Sequence, residues 1–402
     1  MTAKALILAA GAGTRMKSDK PKVVHEVLGK PLVRWVVDAA HDAGIEDVVT
    51  VLGHMSEKVA PFVEGDTKIA IQTQQLGTGD AVNAGREAFT QADGSIAEGS
   101  LVVLSGDCPL ITPETIQALI AKREETGAAV VVLTMHMDDP FGYGRIVREG
   151  EAVVRIVEQK DANEQEAAIT ECNSGFYCFD APALFDALSR VSNDNAQGEY
   201  YLTDVLEICR NDGREVLALQ TADAEEAMGV NSRVQLAQAT HAMQHRINNR
   251  HMMAGVTMWD PESTFIGPDV EIAQDVELWP QTYLLGTTKV GSHSVIGPNT
   301  RLTDTQVGCG ARVDETVAIE AQIDDAAECG PRAYLRPGTH LCEGAKAGTH
   351  VEIKKSTIGK GSKVPHLSYI GDTTMGENVN IGAGSITCNY DGVNKNHTEI
   401  GD

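Results

Sequence analysis

Two hydrophobic rhythms divide this chain. In the first half, short apolar runs alternate with stretches of helical spacing. Ala5 to Ala10 is an unbroken apolar run, long enough for one buried strand. Pro31 to Gly44 has helical periodicity and ends on glycine. Asp47 to Leu52 predicts a second strand, Ile69 to Gln72 a shorter third, and Thr78 to Ala88 a helix. Leu101 to Leu104 predicts another strand, Thr112-Pro113-Glu114 a helix start with proline in its first turn, and Ala128 to Met135 a further strand. Strands alternating with helices predict an α/β domain with a mainly parallel sheet covered on both faces. In such sheets ligands bind beyond the carboxyl ends of the strands.

The second rhythm begins after Ser232 to Met253, a stretch without Gly or Pro that reads as one long helix linking two domains. Ile272, Leu278, Leu284, Val290, Ile296 and Leu302 then recur every six residues. After a slip of phase come Val307, Val313 and Ile319, and the spacing returns through Leu335, Leu341, Ala347 and Ile353 and on toward Ile381. Small or β-branched residues stand two positions earlier, as at Val270, Val276, Thr282, Ser294 and Thr300. A six-residue period fits neither a helix nor simple alternation; it fits a hexapeptide β-helix, in which stacked coils bury columns of aliphatic side chains. The expected domains are 1–230, a linker helix 231–253, and a β-helix 254–402.

A chain of 402 residues with 42% hydrophobic content has enough material for two such cores. Its net charge of -24 repels nucleic acid and anionic membrane surfaces as bulk partners. Any phosphate ligand must therefore be drawn by local cations. Eight cysteines are scattered with no C-x-x-C pair, which argues against a zinc site and for free thiols in a reducing cytoplasm. The N-terminal apolar run is too short to span a bilayer.

The candidate chemistry starts where the first strand ends. Leu8, Ala9 and Ala10 lead into Gly11, Gly13 and Thr14, which permit a tight turn presenting N–H groups to an anion. Arg15 and Lys22 add two cations. Neither the dinucleotide fingerprint nor the P-loop is complete here, so an ordinary turn with two solvated cations stays open. Asp107, in Gly106-Asp107-x-Pro109-Leu110, is either a turn residue or an oxygen ligand for Mg²⁺. Asn231 alone reads as a helix N-cap. Gln72, Gln75, Gly77 and Thr78 are either surface polar residues or carboxamides suited to a nucleobase edge. In the second half, Arg336, Lys354, Tyr369 and Lys395 suit a sugar phosphate, and His366 is either a structural or exposed histidine or a base for deprotonating an ammonium.

The string L-A-A-G-x-G-T-R-M with Pro21-Lys22 resembles the signature of the nucleotide-diphosphate-sugar pyrophosphorylases. With G-D-x-P-L, Q-x-x-Q-L-G-T, G-E-Y-Y-L-T-D, G-V-N-S-R, H-L-S-Y-I-G-D and N-I-G-A-G-S-I-T-C-N-Y-D-G in one order, the whole chain resembles a narrower family. That family comprises the bifunctional bacterial N-acetylglucosamine-1-phosphate uridylyltransferase/glucosamine-1-phosphate acetyltransferases. The resemblance implies a Rossmann-like nucleotidyltransferase domain and a left-handed parallel β-helix. It implies a cytoplasmic homotrimer with UTP, N-acetylglucosamine 1-phosphate, glucosamine 1-phosphate and acetyl-CoA as substrates.

The roles implied are specific. Arg15 and Lys22 act on phosphate, with Leu8 to Gly11, Gly13, Gln72, Gln75, Gly77 and Thr78 on UTP. Asp107 and Asn231 hold Mg²⁺. Gly144, Glu158, Asn173, Tyr201 and Thr203 bind N-acetylglucosamine phosphate. His366 is the base of acetyl transfer; Arg336, Lys354, Glu352, Tyr369, Asn380 and Lys395 bind glucosamine 1-phosphate. Ala383, Asn389 and Tyr390 face acetyl-CoA. The resembling family continues past the position of Asp402 with coils that supply much of the coenzyme pocket, so weak acetyl transfer is expected from this polypeptide. One alternative is a monofunctional sugar-phosphate nucleotidyltransferase with a purely structural β-helix. Another is a non-enzymatic assembly scaffold built on the same two domains.

Overall fold

The computed structural model describes residues 3–150 and 152–402. It divides into two compact units, 1–239 and 240–402. The division falls inside the long helix Arg233–Met253.

Unit 1 is built on a nine-stranded sheet. Its strands in chain order are β1 (Lys4–Ala9), β2 (Asp47–Leu52), β3 (Lys68–Ile71), β4 (Ser100–Ser105), β5 (Val130–His136), β6 (Arg145–Glu149), β7 (Ala152–Val157), β8 (Glu171–Asp180) and β9 (Val216–Gln220). The main order is β9-β5-β8-β4-β1-β2-β3, with the β6–β7 hairpin attached through β8. β1 lies parallel to β2 and β4, β2 to β3, and β9 to β5. β8 runs antiparallel between β4 and β5, an interruption that the apolar runs did not predict.

The apolar run of β1 is buried on both faces, as a central strand between two helical layers must be. Ala5, Ile7 and Ala9 face a core shared with the helices Leu32–Asp42 and Pro113–Thr126. Leu6 and Ala10 face the opposite core with Thr78–Ala84, Ala181–Leu188 and Asp204–Asn211. Burying a side chain such as Leu6 or Ile7 contributes about 1.5–3 kcal/mol, so this alternation fixes the strand's register. The expected helix over Thr78 to Ala88 is shorter: α-helix ends at Ala84 and a 3₁₀ turn follows over Arg86–Phe89. Thr112 caps Pro113–Thr126, its Oγ1 accepting from the Thr115 N–H at 3.3 Å.

Unit 2 carries three parallel sheets of seven, seven and eight short strands. Successive strands of a sheet are three apart in chain order, except that Thr373–Met375 pairs with the next strand, Thr398–Ile400; this is the connectivity of a left-handed parallel β-helix. Aliphatic residues stack in register down each sheet. One column runs Ile266, Leu284, Leu302, Ala318, Leu335, Ile353 and Ile370. A second runs Leu278, Ile296, Val313, Cys329, Ala347 and Val364. The expected column member Ile319 is displaced by its neighbour. Ala318 is the fully buried residue paired with Leu302 and Leu335, and Ile319 is only half-buried. The small residues two positions before the column are corner pieces. Thr282 and Thr288 are buried and donate their hydroxyls to the carbonyls of Trp279 and Leu285, both at 2.7 Å. An apolar side chain there would leave those carbonyls without that donor.

Candidate active sites

The first site lies where β1 and β4 end. The Gly106 N–H donates to the Leu8 carbonyl at 2.9 Å, which ties the two strand tips together. Between them opens a cavity of about 330 Å³ lined by Leu8, Ala9, Ala10, Gly11, Lys22, Val23, Gln72, Gln75, Gly77, Thr78, Ala81, Ser105, Asp107 and Glu199. Most of the residues expected at UTP therefore share one cavity wall. Gly13 stands just outside that lining in the left-handed region, φ +63. A Cβ on it would lie 2.5 Å from the Lys22 Cβ, so only glycine lets the lysine pass this closely.

Lys22 is the hub. Its ammonium pairs with Asp107 Oδ2 and donates to Asn231 Oδ1 at 2.8 Å. The segment holding Asn231 is pinned there, because the Val230 N–H donates to the Asp107 carbonyl at 2.9 Å. Gln235 steadies it further by accepting from the Asn231 N–H at 2.9 Å. A carboxylate oxygen and a carboxamide oxygen thus converge on one cationic centre, a donor set that fits a hard divalent cation such as Mg²⁺. Arg15 is exposed on the turn Thr14–Met16 and does not line the cavity. Among the described residues it enters no ion pair.

Gln72 is buried, and its Nε2 is committed to the Gly77 carbonyl at 3.2 Å and Asp80 Oδ2 at 2.7 Å. Only its carbonyl oxygen remains for a ligand. Gln75 is exposed in the cavity wall with both ends of its amide available to one. Thr78 accepts from the Leu202 N–H at 3.0 Å, which joins this loop to the segment carrying Tyr201 and Thr203.

That segment leads to the expected sugar residues. Thr203 Oγ1 donates to Glu158 Oε1 at 3.3 Å. Burial pushes the Glu158 carboxyl above its usual range, with the Thr203 hydroxyl pulling partly back. A Cβ on Gly144 would lie 3.6 Å from Glu158 Oε1 and 3.5 Å from the Asn173 Cβ, so these three residues adjoin. Asn173 Nδ2 bonds the Tyr177 hydroxyl at 2.7 Å, and the Asn173 N–H donates to the Gly144 carbonyl at 2.9 Å. The Tyr201 hydroxyl accepts from Gln197 at 2.8 Å.

In unit 2 the register of the coils gathers a second group. Glu352 pairs with Tyr369, and Lys354 with Gly371. Arg336 Nη1 donates to Glu352 Oε1 at 2.9 Å. Lys354 Nζ lies 3.5 Å from Asp372 Oδ2. Asn389 Nδ2 donates to Asp372 Oδ2 at 2.6 Å and approaches the Tyr369 hydroxyl at 3.4 Å. Burial alone would raise the Asp372 carboxyl; the Asn389 amide and the Lys354 ammonium outweigh it and hold the group below its ordinary value.

Tyr390 and Lys395 face each other across a short antiparallel bridge. The Tyr390 side chain is exposed, with its hydroxyl on the Gly392 carbonyl at 2.7 Å. His366, Asn380 and Ala383 are exposed, with Asn380 bridged to Lys363 through the backbone.

Two separate clusters of this kind make comparison with known proteins informative. A model of the MobA-like NTP transferase domain matches residues 5–202. The protein named Bifunctional protein GlmU from Exiguobacterium sibiricum is 50% identical over 399 residues, covering 99% of this chain and 88% of that one. Its namesake from Streptomyces coelicolor is 51% identical over 404 residues, covering 99% and 83%. The chain belongs to the GlmU family.

Several residues of these two clusters escaped sequence reasoning. Glu199 and Ser105 line the first cavity, and Gln235 steadies Asn231. Asp372 anchors both Lys354 and Asn389. Its signal was present, since it closes the string H-L-S-Y-I-G-D, but a carboxylate repels phosphate and its place is explained only by the cation it orients.

Proposed function

We propose that this chain makes UDP-N-acetylglucosamine by two reactions, one on each unit. In unit 1 a phosphate oxygen of N-acetylglucosamine 1-phosphate attacks the α-phosphorus of UTP. The new P–O bond forms as the bond to pyrophosphate breaks, so the protein's task is positioning and charge neutralisation.

The cavity beside Leu8 to Gly11 takes the nucleotide, with the Gln72 carbonyl and the Gln75 amide on the uracil edge. Gly13, Gly77 and Thr78 shape the loops that close around it. Glu158, Asn173, Tyr201, Thr203 and Gly144 hold the acceptor sugar. Lys22 and the exposed Arg15 present positive charge to the phosphates. Mg²⁺ held by Asp107 and Asn231 adds to that neutralisation when bound. The observation that carries this reading is the convergence of Asp107 and Asn231 oxygens on one cation at the wall of the cavity.

In unit 2, His366 takes a proton from the ammonium of glucosamine 1-phosphate. The freed amine attacks the acetyl carbonyl of acetyl-CoA, and coenzyme A leaves as the thiol after taking up a proton. Arg336, Lys354, Tyr369 and Lys395 hold the phosphate, and Glu352 and Asn380 orient the sugar. Asn389, Tyr390 and Ala383 face the acetyl donor. The same family reading makes the protein a cytoplasmic homotrimer, and no described helix is long and apolar enough to cross a membrane.

The test is pyrophosphate release from N-acetylglucosamine 1-phosphate with UTP, ATP, GTP or dTTP, with and without Mg²⁺. Release with UTP that depends on the metal supports the reading. Silence with all four nucleotides would favour a scaffold.

A further inference from the structure

Away from both clusters, three side chains of unit 2 meet on the surface of the long helix. His241 and His245 are four residues apart on Arg233–Met253, so they lie on one face. Their Nε2 atoms are 3.1 Å apart, with the rings edge to face. Glu262 approaches from the turn Pro261–Ser263, its Oε1 3.0 Å from His245 Nε2 and its Oε2 3.8 Å from His241 Nε2. Ligands at ~2.0–2.2 Å from a shared octahedral or tetrahedral ion sit about 3–3.5 Å from one another, so two of these separations are those of neighbouring ligands and the third, at 3.8 Å, is slightly longer.

The arrangement is held from beneath. Gln244, beside His245 and buried, donates its amide to the carbonyls of Pro261, Glu262 and Thr264 at 3.2, 2.9 and 2.8 Å. Asn248, also buried, donates to Pro261 and Thr264 at 2.8 and 2.9 Å. The backbone carrying Glu262 is therefore fastened to the helix that carries both imidazoles. Three donors are aligned before any ion arrives, which lowers the ordering cost of binding.

We propose that His241, His245 and Glu262 form a binding site for a nitrogen-preferring divalent transition ion, of which Zn²⁺ is the representative. Two imidazoles and one carboxylate favour this class over Mg²⁺ or Ca²⁺, which take oxygen ligands. Cysteine spacing argued against a zinc site, and this one uses no cysteine. All three groups are partly exposed, so the remaining coordination positions are open to water. An ion here would clip the helix to the first coil of the β-helix and stabilise unit 2 by mass action.

The test is calorimetric titration of the full chain, stripped with a chelator, using Zn²⁺ and separately Mg²⁺, alongside thermal unfolding. We expect saturable Zn²⁺ binding at micromolar concentration, a raised unfolding temperature, and no effect of Mg²⁺ on that transition in the absence of nucleotide. His241→Ala and His245→Ala should each weaken binding by about tenfold or more while leaving circular dichroism unchanged. A second group, Asp324, His340 and Cys342, has donor atoms within 4.8 Å of one another, so Cys342→Ser serves as the control and should leave this site intact. Absence of saturable Zn²⁺ binding, binding indifferent to both histidine variants, or binding abolished by Cys342→Ser would each overturn the proposal.

Discussion

The ammonium of Lys22 donates to the carboxamide oxygen of Asn231 at 2.8 Å, across 209 positions of chain. The same ammonium pairs with Asp107, so one cation bridges the two oxygens assigned here to Mg²⁺. Replacing Asp107 with alanine removes one oxygen and one of the two anchors of Lys22. Uridylyl transfer should fall on the order of a hundredfold or more, a loss typical when one preorganised charge partner is removed. Steady-state pyrophosphate release against Mg²⁺ concentration measures it; full activity at ordinary Mg²⁺ would remove Asp107 from the site.

Gly13→Ala places a methyl group 2.5 Å from the Lys22 Cβ at a residue with φ +63. The backbone strain alone costs about 1–2 kcal/mol. Displacement of Lys22 should add a loss of uridylyl transfer larger than the loss of stability explains. Denaturant unfolding and turnover measured together separate the two effects.

His251 gives unit 2 a sensitivity to acid. Burial, then the nearby Arg250, lowers its pKa from 6.5 to about 4, and its Nε2 has no partner among the described residues. The folded pKa of this base lies below its unfolded value. Its contribution is therefore fully present above about pH 6.5 and lost as pH falls toward 4. His251→Leu should flatten the decline in unfolding temperature across that window, and a profile as steep as the parent's would contradict the assignment.

The aliphatic columns predict a loss of stability for changes of volume in either direction. Leu335→Ala opens a cavity in a fully buried column and should cost about 2–5 kcal/mol. Ala318→Leu inserts volume where Leu302 and Leu335 already close the column, and should cost about 1–3 kcal/mol. Chemical denaturation of each variant reads both.

Asp372→Asn removes the charge that holds Lys354 and accepts from Asn389. Lys354 should then lose its fixed position, and affinity for glucosamine 1-phosphate should fall about tenfold, within the range for residues that orient a binding group. Calorimetric titration with the sugar phosphate tests this without relying on turnover.

The chain's patterns foreshadowed most of this architecture, for identifiable reasons. β1 and β2 stand where their mainly apolar runs placed them, because strands buried on both faces need such runs. β8 was not legible, since the first half of Glu171–Asp180 carries Glu171, Asn173, Ser174 and Gly175 rather than an apolar run, and only its partners decide its direction. Ile319 was misplaced because the step from Leu302 to its column partner Ala318 is shorter than that from Leu284 to Leu302. Hydrophobicity alone favours the isoleucine over the alanine. Asp107 was legible as an oxygen donor, whereas Asn231 alone read as a helix cap and only the family resemblance gave it to the metal; their meeting depends on the backbone bond between Val230 and Asp107, which links distant segments. Gln72 carried the right functional group, yet the use of its amide by Asp80 is invisible without the folded loop.

Because every strand of unit 2 bonds only to the coil above and the coil below, the stack has no privileged length. Excising one whole turn of it, from a column residue to its next partner, would expose two cut surfaces that match each other and could rejoin. Losing a residue inside a strand would instead turn its column side chain outward, whereas a loss at a corner is absorbed, as the shorter step from Leu302 to Ala318 is while Leu335 and Ile353 stay in register. The place of an edit thus matters more to this domain than its size.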